Sequence, residues 1–143
     1  MKFNKTTEYA LRILSFMATD ETRLYRVDDI RENLNIPFRY LRRLMTKLTK
    51  SGLLISIQGN KGGFKVSRST GEITLMDIVL SAGSPVIEDV CFFGFQECPL
   101  TDRCVIHDKW TDVKENIRDI LNTTNLSQIK ASGHSLSGFG LNK

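Results

Sequence analysis

The sequence predicts a mostly α-helical fold with one small β-hairpin, and three observations lead to this prediction. Apolar residues recur at helical spacing in several segments, as at Tyr9, Ile13 and Met17. A glycine-rich turn at 59–63 separates two short stretches in which apolar and polar residues alternate, as in a hairpin. The 143 residues suffice for one small domain with an extension and a core that needs no disulfide.

Basic and acidic side chains are unevenly divided along the chain. Residues 1–70 carry 14 Lys and Arg against 6 Asp and Glu, and residues 71–143 carry 6 against 10, giving net charges of +8 and −4. This division indicates that the first half contacts a polyanion, with a merely solvated surface as the alternative. No apolar run reaches the roughly 18 residues of a membrane span, and no secretory signal is apparent, so we expect a cytoplasmic protein with reduced thiols and no membrane partner.

Two helices are predicted before residue 35. The first runs from Thr6 to about Thr19 with an apolar face, and Thr6 or Thr7 can cap its first turn. After a short extended segment, Asp28 can cap a brief second helix that ends at Leu34. The next two residues, Asn35 and Ile36, separate this helix from the third one.

The third predicted helix begins at Pro37 and continues to about Ser51. Its apolar face comprises Phe38, Leu41, Leu44, Met45 and Leu48. Its other face is wholly basic, with Arg39, Arg42, Arg43, Lys47 and Lys50. A helix face that only keeps a protein in solution usually carries both acidic and basic residues, which form ion pairs. This face has no acidic residue, so it indicates contact with a nucleic acid. A short helix, a turn and a helix of this kind are typical of a helix-turn-helix unit.

A hairpin follows the basic helix. Gly52 ends the helix, Ile55 and Ile57 share one face of the first strand, and Phe64 repeats the alternation after the turn. The glycines lack the Gly-Lys-Ser/Thr ending of an NTPase phosphate loop and join two strands. The hairpin therefore predicts a wing, whose tip residues Asn60 and Lys61 would lie along the DNA backbone or minor groove.

Several of these segments resemble the Rrf-two family of bacterial winged-helix regulators. The matching residues are Thr7-Glu8-Tyr9-Ala10-Leu11-Arg12, Ile36-Pro37-Phe38-Arg39-Tyr40-Leu41, Gly52-Leu53-Leu54, Gly59-Asn60-Lys61-Gly62-Gly63-Phe64 and Ile73-Thr74-Leu75-Met76-Asp77-Ile78. The resemblance covers roughly residues 1–130. It implies a homodimeric transcription factor, usually a repressor, that binds a partly palindromic double-stranded DNA operator, with Tyr40 among the DNA-contacting residues.

Two further helices are predicted in the acidic half. Thr74 caps one from Leu75 to about Ala82. The other runs from about Thr101 to Asn122 and would be roughly 33 Å long at about 1.5 Å per residue. Its heptad-spaced apolar residues are Ile106, Trp110, Val113, Ile117 and Ile120. So long a one-sided helix favours a matching helix from a second subunit, and packing of the stripe on its own domain is the alternative.

All three cysteines and one of the two histidines lie between residues 91 and 107. The donors are Cys91, Cys98, Cys104 and His107, with intervals of six, five and two residues. Structural zinc sites usually contain a close pair of cysteines, which is absent, whereas longer loops suit an iron-sulfur cluster. There are three alternatives to a cluster. The segment could be a redox switch made only of cysteines, it could bind zinc, or its thiols could be inert.

The resemblance narrows the cofactor. Cluster-binding members of the family carry three cysteines in this loop. The branch that regulates cluster assembly adds a histidine matching His107 and holds a 2Fe-2S cluster, and the nitric-oxide-sensing branch uses an acid matching Glu8 from the other subunit. The interval of six after Cys91 differs from the five common in the family. A 2Fe-2S cluster is the first expectation and a 4Fe-4S cluster the second.

The sequence thus predicts four parts. They are a winged helix-turn-helix domain at 1–84, a cysteine-rich cluster loop at 85–108, a dimerisation helix with its following segment at 101–130, and a flexible tail at 131–143. The expected function is a homodimeric regulator whose operator affinity responds to iron-sulfur status, nitric oxide or redox stress. No catalytic triad, carboxylate pair or Cys-x-x-Cys motif is apparent, so an enzyme such as a thiol oxidoreductase is not expected.

Overall fold

The computed structural model describes residues 3–83 and 91–132. Its helices are α1 (Lys5–Met17), α2 (Val27–Leu34), α3 (Phe38–Lys50), α4 (Leu75–Ser81), α5 (His107–Thr123) and α6 (Leu126–Ala131). Its strands are β1 (Leu54–Ile57) and β2 (Gly63–Val66), and a 3₁₀ turn spans Thr70–Glu72. This is the mostly helical fold with a small β-wing that the sequence predicts.

The core forms where α1, α2 and α3 pack together. Ile13, Ile30 and Leu41 have no exposed surface and come from one helix each. Burying one such side chain favours folding by about 1.5–3 kcal/mol, so the apolar faces fix how the three helices cross. The basic face of α3 is thereby turned away from the core.

The hairpin pairs β1 with β2 in an antiparallel register that sets Ser56 opposite Phe64. Tyr25 joins its edge through an isolated antiparallel bridge to Phe64, which attaches the extended segment before α2 to the hairpin. Ile55 and Ile57 share a face, as predicted, and that face is the solvent side, with 40% and 42% exposure. The wing is therefore attached to the helical core along one side.

The chain returns to the winged domain after α5. The amide of Leu75 donates to the Thr124 carbonyl at 2.9 Å, and the amide of Leu126 donates to the Ile73 carbonyl at 3.0 Å. Leu126 is fully buried in the main core. The segment after α5 is therefore part of the same packed unit. Within the described residues, none of the helices combines the length and apolarity that a bilayer span requires.

The starts of the first three helices differ from the prediction. Asn4, not a threonine, caps α1 by accepting the Thr7 amide at 2.9 Å, because the helix begins earlier than predicted. Asp28 does not cap α2; Asp29 accepts the Arg26 amide at 3.0 Å. Pro37 is the residue before α3, with an extended ψ of 131°, and is not its first helical residue.

The long helix is shorter than predicted. It starts at His107 instead of Thr101, and its 17 residues span about 25 Å at about 1.5 Å per residue. The preceding chain forms a turn in which the His107 amide donates to the Cys104 carbonyl at 3.1 Å. The acidic Asp108 in the first turn favours a helix start at this point, because a helix N-terminus attracts negative charge.

Other predictions lie partly outside the described residues. Thr74 caps α4 as predicted, by accepting the Asp77 amide at 3.1 Å. The helix ends before Gly83, whose φ of +78° is left-handed. Ser84 and Pro85, which follow Gly83 at the end of this helix, fall outside the described residues. Residues 133–143, most of the predicted tail, also fall outside them.

Candidate functional site

The solvent face of α3 is basic. Five of its predicted DNA contacts are exposed, namely Arg39, Arg42, Arg43, Lys47 and Lys50. The opposite face is buried through Leu41, Leu44, Met45 and Leu48. The helix contains no acidic residue, so its exposed charges repel one another and favour a polyanion.

Phe38 does not belong to the buried face, which corrects the prediction. It is 39% exposed at the start of α3. The guanidinium carbon of Arg31 lies 5.2 Å from the centre of its ring, and that of Arg42 lies 5.7 Å away. These cation–π contacts orient Arg42 at the surface. The ring's position at the open end of the helix explains why helical spacing alone misplaced it.

Two of the predicted DNA contacts bond to other parts of the protein. The Nζ of Lys47 donates to the backbone carbonyl of Ala82 at 2.9 Å. The hydroxyl of Tyr40 hydrogen-bonds to the hydroxyl of Thr6. The ring of Tyr40 also meets Tyr9 edge-on, with centroids 5.3 Å apart. These side chains tie α3 to α4 and α1.

A polar groove of about 500 Å³ separates α3 from the wing. Arg42 and Thr46 line it from α3, and Asn60 lines it from the wing. Asn60 and Lys61 are exposed at the wing tip. The guanidinium of Arg26 lines the groove too and donates to the Asn60 carbonyl. Sequence reasoning missed Arg26, although its place next to the strand-like Tyr25 was a usable signal.

The three cysteines and His107 line one cavity of about 120 Å³. All three thiols are free; Cys91 and Cys104 are half-buried and Cys98 is exposed. A tight turn closes the start of the loop, in which the Cys91 amide donates to the Phe95 carbonyl at 3.0 Å. The loop and the start of α5 therefore form one thiol-lined pocket.

The donors match an iron-sulfur cluster in kind, since thiolates and imidazole are its usual ligands. Their side chains are not gathered into a ligand set: among residues 3–83 and 91–132, no three His, Cys, Asp or Glu side chains lie close enough to bind one metal ion. Glu8 does not line the pocket; on α1 its carboxylate lies 3.5 Å from the Nζ of Lys5.

Three further residues of α5, Trp110, Thr111 and Lys114, also line the pocket, and none of them was predicted there. Trp110, predicted at the dimer interface, lines the cavity and meets the Phe92 ring edge-on at 5.5 Å. Lys114 lines it as well and is only 8% exposed. These residues lie three, four and seven positions after His107, on the same helix face, so spacing could have identified them.

Part of the predicted apolar row on α5 is exposed. Val113 is 44% and Ile120 is 56% exposed, while Ile106 and Ile117 are half-buried. Leu121, which was not in the predicted row, is buried. The described part of the chain leaves Val113 and Ile120 largely uncovered.

Comparison with known proteins gives the family. The family model described as Rrf2, Iron-dependent Transcriptional regulator, matches residues 3–132. An HTH-type transcriptional regulator of Aquifex aeolicus (strain VF5) is 30% identical over 131 residues, covering 90% of this chain and 91% of that protein. IscR of Pectobacterium carotovorum (strain PC1) is 34% identical over 101 residues, covering 71% of this chain and 61% of that protein.

Solved structures agree on the fold. CymR, the global cysteine regulator of B. subtilis, matches with a TM-score of 0.79 at 22% identity, covering 92% of this chain and 98% of that one. IscR of T. potens matches with a TM-score of 0.72 at 22% identity, covering 94% and 89%. The chain therefore belongs to the Rrf2 family and is a winged-helix, DNA-binding transcriptional regulator, not an enzyme.

Proposed function

We propose that the protein is a homodimeric repressor whose affinity for its operator is set by an iron-sulfur cluster in the cysteine pocket. The observation that carries the sensing role is the presence of Cys91, Cys98, Cys104 and His107 on one cavity. The iron dependence named in the family's description supports it. The signal would be iron-sulfur status, nitric oxide or redox stress.

The DNA-reading surface is the basic face of α3 together with the wing tip. Arg39, Arg42, Arg43 and Lys50 are exposed on the helix, and Asn60 and Lys61 on the wing. The groove between helix and wing is open and lined by polar groups, as a duplex backbone requires. In this proposal α3 enters the major groove and the wing follows the adjoining backbone.

The three cysteine thiolates would hold the cluster, with His107 as the fourth ligand. The partner subunit's Glu8 is the alternative fourth ligand. When bound, a cluster supplies a redox-active group that oxidants or nitric oxide can modify. The chain itself connects the pocket to α3 in two steps. α5 bears His107 and packs on α4. Lys47 of α3 bonds to Ala82 at the end of α4. A 2Fe-2S cluster is preferred over 4Fe-4S.

A thiol switch without a cluster is the second candidate function. It is favoured by the three free thiols and by their lack of convergence on one point within the described residues. The CymR structures, one of them described as an oxidised form from Staphylococcus aureus, provide a structural parallel at 24% identity. Zinc is the third alternative.

Homodimerisation is proposed through α5. The exposed side chains of Val113 and Ile120 would pack against the same row of a second copy. A two-fold axis would then set two copies of α3 about one DNA turn, roughly 34–36 Å, apart.

Anaerobic reconstitution tests the sensor. The protein is incubated with iron and sulfide, and visible spectra and metal content are compared for wild type, Cys98→Ala, His107→Ala and Glu8→Ala. We expect a coloured wild type, a cluster lost in Cys98→Ala, and an altered spectrum in the variant of the true fourth ligand. Operator affinity is then measured with and without the cluster. A colourless wild type whose affinity responds to a thiol oxidant would instead support the thiol switch, and stoichiometric zinc would support the third alternative.

A further inference from the structure

Lys47 lies on the basic helix, yet its charge points toward the end of α4. Its Nζ donates to the Ala82 carbonyl at 2.9 Å. Ala82 follows the last residue of α4 and is 2% exposed. An ammonium group at a helix C-terminus stabilises that end, because the last carbonyls lack helical partners and carry partial negative charge.

Gly83 gives an independent sign that this contact is built into the fold. A Cβ atom at Gly83 would lie 2.7 Å from the Nζ of Lys47 and 3.5 Å from its Cε. Gly83 also has a φ of +78°, which side-chain-bearing residues rarely adopt. The lysine therefore passes directly over a residue that leaves room for it.

The position of Ala82 links two surfaces of the molecule. α4 packs on α5, which begins at the pocket-lining His107. Lys47 thus joins the DNA-reading helix to α4, which is connected to the pocket through its packing on α5.

We propose that Lys47 is a positioning residue that fixes α3 on the end of α4 and transmits the state of the cysteine pocket to α3, instead of contacting a DNA phosphate. This inference rests on the proposed function for its regulatory part. It reassigns one residue of the predicted DNA-binding set. Lys50, one turn later on the same helix, is exposed as Lys47 is but has no such bond in the described structure, so it is the matched residue.

The test compares Lys47→Met with Lys50→Met in the complete 143-residue chain. Methionine keeps most of the side-chain stem and removes the charge. Operator affinity is measured as a function of salt, since each phosphate contact contributes about one unit to the slope of log K against log salt. We expect Lys50→Met to lower the slope by about one and Lys47→Met to leave it unchanged. A slope lowered by about one in Lys47→Met would overturn the proposal.

Hydrogen exchange tests the positioning role without DNA. The amides of Ala82 and Gly83 bond to Ile78 and Leu80 at the end of α4. We expect them to exchange at least about threefold faster in Lys47→Met and at the wild-type rate in Lys50→Met. Equal protection in both variants would show that the bond does not hold α4, and the proposal would fail.

The regulatory part is measured as the ratio of operator affinities between the cluster-loaded and cluster-free protein. We expect this ratio to shrink by at least about threefold in Lys47→Met and to persist in Lys50→Met. An unaltered ratio in Lys47→Met would refute the transmission. A wild-type ratio of one would instead refute the proposed sensor together with the transmission, and the positioning role would still be decided by salt dependence and exchange.

Discussion

Tyr25 and Phe64 exchange two backbone hydrogen bonds that attach the wing to the helical core. The Tyr25 amide donates to the Phe64 carbonyl at 2.7 Å, and the Phe64 amide donates to the Tyr25 carbonyl at 2.8 Å. These two bonds attach the chain before α2 to β2 of the wing. Because α2 packs on α3, this pair also sets the width of the groove between the reading helix and the wing.

The wing turn is predicted not to tolerate a side chain at Gly62. A Cβ atom there would lie 2.0 Å from the Ile57 carbonyl oxygen, which is backbone and cannot rotate away. We expect Gly62→Ala to destabilise the protein by about 1–3 kcal/mol and to weaken operator binding, as measured by urea unfolding and DNA titration. Gly71→Ala is the control, because its Cβ would meet only the Ser69 hydroxyl at 3.8 Å. Equal stability of the two variants would contradict the clash.

The exposed arginines of α3 are predicted to contact phosphates. Arg42→Ala and Arg43→Ala should each weaken operator binding and reduce the salt slope by about one contact. The measurement is a DNA titration at several salt concentrations. Lys130→Ala, a loss of charge on the short α6, provides the control and should keep the wild-type slope. If the arginine variants also keep that slope, α3 is not the reading helix.

The apolar row of α5 is predicted to hold the dimer. Ile120→Glu places a charge where we expect a second copy, and the 56% exposure of Ile120 means that the monomer can tolerate the change. Light scattering after size-exclusion chromatography should give the mass of one chain with helicity retained, and operator affinity should fall because a monomer reaches one half-site. Glu115→Gln, an exposed change on the same helix, should remain dimeric. A dimeric Ile120→Glu would rule out this interface.

Stability is predicted to depend on pH through Glu21. The hydroxyl of Thr70, followed by the Thr70 amide at 2.9 Å, holds the pKa of the Glu21 carboxyl below its usual 4.5. A lowered pKa means that the stabilisation is fully present above pH 4.5 and is lost as the pH falls through the lowered pKa. We therefore expect Glu21→Gln to be less stable than wild type at pH 7.

Urea unfolding at pH 7 and at a pH below the lowered pKa of the Glu21 carboxyl measures this difference. The gap in stability between wild type and Glu21→Gln should narrow at the lower pH, because the wild-type carboxyl is protonated there. A gap of constant size at both pH values would show that the charge of Glu21 contributes nothing. Glu32→Gln, at an exposed site on α2, controls for a general effect of removing an acid.

The sequence alone determined the order and type of the main elements. The helical repeat of α3, the glycine turn of the wing and the Thr74 cap each depend on neighbours within about five residues, so local spacing predicts them. The clustering of three cysteines and His107 in one segment was equally visible. Membership of the Rrf2 family was also recognised from such segments and is confirmed.

Tertiary structure decided which side chains of a predicted helix face bond to other parts of the protein and which line a site. Lys47 and Lys50 look alike in sequence, but only the fold brings Ala82 within 2.9 Å of Lys47. Likewise, Trp110 and Lys114 join the cysteine pocket because the loop folds back onto α5. The physical reason is that helical spacing fixes the direction of a side chain, whereas the partner it meets comes from a distant part of the chain.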